Sequence, residues 1–410
     1  MEFKRHKLDN GLQIVAELNP SAKSAAVGLF IKTGARDEPD RYSGISHFLE
    51  HMIFKGTERL DAIAVNEAFD RTGAHFNAFT TEENTVYYAA VLPEYLEQVT
   101  ALWIELMRPA LRSGDLELER QVILQEIAMY KDQPDRQVLE QCRSLHYDGH
   151  PCGKIVIGTD KTVSSLTADQ IRSYLQQRYV PNNMIVAFAG NLDWDRCCGL
   201  VEASCSQWQS ADTDRQVGHF AGTMKSQWED RDGLSCEHIC LMHQAVSAQD
   251  QRRFMAALLA SIVGDDTGSR YYWHLVDNAT ALSATMQYWP MDGTGALCSY
   301  LSCRKGMARK VLEVTEGIFE DLYTKGIGQQ ELERAKNKII SALVIRDEVP
   351  MGRLIDIAMN WLYLGQYRTI EQEVRDLRSV TVEDINRLIK ELDLRRFTSY
   401  VLRPANGKGN

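Results

Sequence analysis

Apolar residues follow two alternating rhythms along this chain. Short, nearly unbroken runs such as Ala25–Ile31, Thr85–Val91 and Met184–Gly190 have the length of buried strands. Between them, apolar residues recur every three or four positions over 44–54, 61–72, 93–107 and 116–130, which predicts helices. Phe76–Thr80 reads as a further strand, and Asn10-Gly11 marks a hairpin between two short strand-like runs. In the second half, Ile239–Met242 takes the part of Ala25–Ile31. Thr167 and Thr381 are expected N-caps, with Gln170 and Asp384 three residues on to complete a capping box.

The pattern repeats at long range. Glu-Leu-Glu-Arg occurs at 117–120 and again at 331–334, an offset of 214. Ser165-Leu166-Thr167-Ala168-Asp169-Gln170-Ile171 is echoed by Ser379-Val380-Thr381-Val382-Glu383-Asp384-Ile385 at the same offset. Two independent matches at one offset predict two homologous domains, placed at 1–215 and 226–410. The polar stretch Ser206–Thr213 lies near their junction. Interleaved strands and helices with hairpin-like pairs predict an α+β fold. Each domain is expected to be a mainly antiparallel sheet with helices on one face.

Composition removes several function classes. The net charge of −10 argues against a nucleic-acid partner, which normally needs a basic face. No run approaches the roughly 18 apolar residues of a membrane span, and the start Met1–His6 has no secretory h-region. A cytoplasmic location is the resulting expectation. Nine cysteines with no CxxC pair read as reduced, buried thiols. Cys236 and Cys240 flank His238, but their segment reads as a buried strand rather than a metal site.

The chemistry concentrates at His47-Phe48-Leu49-Glu50-His51. On a helix, positions i and i+4 share a face, so His47 and His51 offer two imidazoles to one ion. Glu50 stands one position from His51, within reach of water at that ion as a general base. The order H-x-x-E-H reverses the commoner H-E-x-x-H. Phe48, Leu49, Met52, Ile53 and Phe54 are apolar, and buried polar groups in such a helix are costly without a purpose. Two core histidines satisfied by neighbours are the plainer alternative. A catalytic zinc needs a third protein ligand; Glu126 is the candidate, although it also reads as one charged helix residue among many. Glu119, seven residues earlier on the same helix face, is a candidate to hydrogen-bond a ligand histidine. Its tetrapeptide recurs at 331–334, where no metal motif exists, so a structural role is equally open.

These segments resemble the pitrilysin/insulinase-type zinc metallopeptidases (inverzincins), close to mitochondrial processing peptidase β subunits and short bacterial relatives. The resemblance rests on Leu8–Leu12, Gly34–Glu38, Gly44–Thr57, Asn77–Thr80 and Glu119–Ile127, and it is looser but in order through the second half. It implies one zinc per chain on His47, His51 and Glu126, with Glu50 as base and Glu119 supporting a ligand. It also implies that Asn77, Ala78 and Phe79 line the site, where a substrate peptide adds as a strand. The family builds a clamshell from four such domains, so a homodimer or heterodimer is implied, with peptides as substrates. The resemblance further implies a substrate-holding Arg after a Gly-rich turn, here Arg270, and a Tyr about a dozen residues later. Ala281-Leu282-Ser283 lacks that Tyr, and Tyr288 is a displaced substitute. The expected activity is zinc endopeptidase cleavage of short or unfolded peptides in a closed chamber. The second half, without an H-x-x-E-H, is a non-catalytic repeat. The rival reading is a structural or partner-dependent subunit of a processing-peptidase-like complex.

Overall fold

The computed structural model describes residues 1–405 except Asp214, Gln216 and His219. The chain forms two compact units, and neither is contiguous. The first comprises Met1–Ala128, Lys154–Gln216 and Val344–Arg368; the second comprises Met129–Gly153, Val217–Leu343 and Thr369–Asn410.

The first unit is built on strands β1 (Glu2–Lys7), β2 (Gln13–Leu18), β3 (Ala25–Ile31), β4 (His75–Thr80), β5 (Thr85–Val91) and β6 (Met184–Gly190). Their spatial order is β1-β2-β6-β3-β5-β4, antiparallel except for the parallel β2–β6 pair. β3 and β6 are buried along their whole length, which explains their continuous apolar runs. The second unit holds β7 (Ser226–Arg231), β8 (Cys236–Ala245), β9 (Ser283–Met291), β10 (Thr294–Arg304) and β11 (Thr398–Pro404). Their order, β7-β11-β8-β10-β9, with β7 and β11 parallel, repeats that of β2-β6-β3-β5-β4. β6 at 184–190 and β11 at 398–404 differ by the offset of 214 read from the sequence. Thr167 and Thr381 both close capping boxes, with Gln170 and Asp384.

Helices Ile45–Ile53 and Leu96–Leu106 pack on one face of the first sheet. There Trp103 meets Phe69 at 4.9 Å and Tyr87 at 5.7 Å between ring centres. The opposite face receives a helix from the second half of the sequence, Pro350–Leu364. Its Leu354, Ile357, Ala358 and Trp361, at helical spacing, cover Val15, Ala26, Phe30, Val86 and Ile185. The second sheet is treated in the same way. Helix Pro134–His146, from the first half, lays Val138 and Cys142 against Cys240, Met242, Cys298, Tyr400 and Leu402. Each repeat thus contributes one helix to the other unit's core. Among the described residues, no helix is long and apolar enough to cross a membrane.

Candidate metal centre

Helix Ile45–Ile53 buries Phe48, Leu49, Met52 and Ile53 and turns His47, Glu50 and His51 to its other side. It begins at Gly44, whose φ of 93° lies in the left-handed region. A Cβ there would stand 2.7 Å from the Ile157 carbonyl oxygen, so only glycine fits. The second contributor is helix Ser113–Lys131, where Leu116, Glu119, Ile123 and Ile127 are buried. Glu119 and Glu126, seven residues apart, point from it toward the histidines.

Three side chains converge. Glu126 Oε2 lies 3.8 Å from His47 Nε2 and 3.7 Å from His51 Nε2. Those separations are too long for hydrogen bonds. They are close to the edge of about 3.4 Å expected between donors around one tetrahedral ion with 2.0–2.1 Å bonds. One donor atom from each residue lies within 4.8 Å of the others, and this is the sole such group among the described residues. His51 Nδ1 is 2.8 Å from Glu119 Oε2, which fixes the ring and leaves Nε2 free for an ion. His47 Nδ1 is buried without a hydrogen-bond partner. Two imidazoles and one carboxylate are the ordinary donor set of an open zinc site, and the geometry fits that ion.

The charges are arranged accordingly. Burial, with His51 alongside, pulls His47 down to about 4 against the attraction of Glu126, so its imidazole is neutral and can ligate. Burial also lowers His51, but the hydrogen bond and charge of Glu119 outweigh it and raise the ring overall. Burial raises Glu119, yet His51 and Lys55, whose Nζ is 2.5 Å away, hold it below the usual carboxylate range. Burial lifts Glu50 above that range, opposed by a hydrogen bond from Thr80 and by His51. Thr80 Oγ1 donates to Glu50 Oε2 at 2.5 Å.

Asn77, Ala78 and Phe79 lie in β4, the edge strand, which among the described residues pairs only with β5. Asn77 is exposed and its Oδ1 accepts from the Ala78 amide. Arg270 is in the other unit, where its guanidinium binds Glu331 at 2.8 and 3.1 Å and the Gly326 carbonyl at 2.7 Å. Tyr288 donates to the Val246 or Ser247 carbonyl. Cys240 is buried in β8, as the strand reading of that segment expects. Sequence reasoning did not foresee the Thr80 hydroxyl or Lys55. Both sit inside the quoted motif segments, but only the fold shows which way they point.

Among the described residues, the second unit has no counterpart of this centre. The 214-residue offset carries His47, His51 and Glu126 onto Ser261, Asp265 and Ile340. Asp265 there is paired with Lys338 at 3.2 Å, and Ser261 donates to it at 3.1 Å.

Comparison with known proteins agrees with this asymmetry. Residues 13–160 match the family described as Insulinase (Peptidase family M16), and residues 165–339 match the Peptidase M16 inactive domain. A protein of Mycobacterium leprae named as an uncharacterized zinc protease is 32% identical over 417 residues, 98% of this chain and 92% of that one. A Bacillus subtilis protein of the same description is 29% identical over 412 residues, 98% of each chain. The fold superposes on a protease from Helicobacter pylori with a TM-score of 0.91 at 21% identity, over 98% of this chain and all of that one. This chain therefore belongs to the insulinase family, Peptidase family M16.

Proposed function

We propose that this chain is a zinc-dependent endopeptidase with His47, His51 and Glu126 as ligands and Glu50 as general base. The observation that carries the reading is the convergence of Glu126, from a separate helix, on the free nitrogens of both histidines. When bound, zinc supplies Lewis acidity, acidifying water and polarising a peptide carbonyl. Glu50 takes the proton of the attacking water and hands it to the departing amine nitrogen. Its raised affinity for protons suits it to both tasks. Thr80 restrains one Glu50 oxygen and leaves the other for the water. Glu119 holds His51 in the tautomer that presents Nε2.

The substrate in this reading is a short or unfolded peptide. It lies along the free edge of β4, past Asn77, Ala78 and Phe79, and adds a strand there. A second, related subunit, a homodimer or heterodimer partner, would close the chamber. Arg270 enters substrate binding only by releasing Glu331. The test is Glu50→Gln, assayed by peptide-library digestion with zinc content measured in parallel. Retained zinc with hydrolysis lost by about 10²-fold or more supports the reading. Wild-type cleavage rates in that variant would sink it.

A further inference from the structure

The zinc-motif helix lacks a cap of its own. Its N-cap is Gly44, with no side chain to meet the first amides. They are met from a distance. Glu38 Oε2 accepts from the Gly44 amide at 2.7 Å, and Glu38 Oε1 accepts from the Ser46 amide at 2.8 Å. Glu38 is only 2% exposed. Burial pushes the Glu38 carboxyl up to about 8, while the Ser46 and Gly44 amides and the charge of Lys154 oppose that by favouring the ionised form, which accepts through both oxygens. The positive end of the helix dipole favours it further.

The same helix end is gripped a second time. Ser46 Oγ lies 2.7 Å from Tyr174 OH, which lies 3.0 Å from Thr33 Oγ1. Arg178 Nε donates to Thr33 Oγ1 at 3.0 Å. Lys154 Nζ donates to the Glu38 carbonyl, tying the capping residue's own backbone. A carboxylate bonded through both oxygens to two amides of one turn fixes how far the helix is inserted and how it is rotated. Rotation matters here, because His47, Glu50 and His51 project from one side and must meet Glu126 from another helix.

We infer that Glu38 is a positioning residue: by clamping the Gly44 and Ser46 amides, it sets the depth and rotation of the helix that presents His47, Glu50 and His51. It is not among the three residues whose donor atoms cluster at the metal centre. The inference rests on the peptidase reading of that centre, but its first readout does not.

The experiment compares wild type with Glu38→Gln, Glu38→Ala and a control of matched stability loss, Leu258→Ala in the other unit's core. Amide hydrogen exchange on the metal-free proteins is the first readout. Exchange over residues 44–54 should rise about ten-fold in Glu38→Ala while β3 and β6 stay protected. Glu38→Gln, which keeps one acceptor, should fall between, and Leu258→Ala should leave 44–54 unchanged. Chelator competition should then show about ten-fold weaker zinc binding. Peptide kinetics should show kcat lower by up to about 10²-fold at unchanged KM, as for a misplaced catalytic group. Exchange over 44–54 no faster than in the control would overturn the inference, as would wild-type zinc affinity in both Glu38 variants. If Glu38→Ala does not fold, Glu38→Gln decides by the same criteria. A wild-type protein that binds no zinc sinks the peptidase reading instead, and the exchange result still decides the role of Glu38.

Discussion

Arg353 and Glu17, 336 positions apart in the chain, meet in a buried two-pronged pair, with Arg353 Nη2 2.6 Å and Nε 2.9 Å from the Glu17 oxygens. The pair fastens helix Pro350–Leu364 to β2. Asp347 at 3.0 Å and Tyr367 at 2.6 Å satisfy what remains of each partner. Truncating one side leaves the other charge buried and unmatched. Arg353→Ala should therefore cost about 3–5 kcal/mol in urea unfolding. Replacing both partners with apolar residues should cost less than the sum of the single changes. Additive losses would show that the two side chains do not act as a pair.

The Glu119–His51 contact predicts a separation between metal affinity and fold stability. Glu119→Ala removes the acceptor that fixes the His51 ring and leaves Lys55 without its carboxylate. Zinc affinity, measured by chelator competition, should fall about 10–100-fold. Equal affinity in the variant would mean that His51 is oriented by other means.

Thr80 predicts a pH effect of definite sign. Its hydrogen bond favours the ionised form of Glu50, holding the carboxyl lower than burial alone would. Thr80→Val removes that hold, so Glu50 binds its proton more tightly. In the proposed reaction Glu50 must be ionised to act as the base, so the acid limb of the kcat/KM profile should move to higher pH. Activity on the acid side of the profile should then fall more than activity on its alkaline side. An acid limb that stays in place would separate Thr80 from the base.

His146 predicts the acid sensitivity of the second unit. It is 1% exposed, its Nδ1 is 3.0 Å from Thr398 Oγ1, and its Nε2 has no hydrogen-bond partner. Burial lowers it from 6.5 to about 4. The unfolded chain therefore binds a proton between those values that the folded chain refuses. The part of the stability loss due to His146 should grow as pH drops from 6.5 toward 4 and level off below that. His146→Leu should take up about one proton fewer on unfolding at pH 5, seen as a shallower slope of stability against pH. An unchanged slope would assign the sensitivity to other groups.

Much of the fold was legible because local patterns decided it. β3, β5 and β6 occupy the residues of their apolar runs, and strands buried on both faces, as β3 and β6 are throughout, admit little else. The helices fall within a few residues of their periodic stretches, and the repeat offset reappears between β6 and β11. The histidine pair was legible for the same reason: one helical turn fixes its spacing. Glu126 was legible only as a candidate, because many carboxylates lie on exposed helix faces and spacing along one helix says nothing about another.

What lay outside the sequence were choices of partner. An amphipathic pattern reveals that helices Pro134–His146 and Pro350–Leu364 each have a face to bury, but not that each buries it on the sheet of the other repeat. A carboxylate six residues before a glycine does not reveal that it caps the helix beyond. Short-range hydrogen bonding and periodicity settled the elements, their order and the duplication, since these depend on neighbours in the chain. The convergence of Glu126, Thr80 and Glu38 on the zinc-motif helix depends on residues distant in sequence, and only packing brings those together.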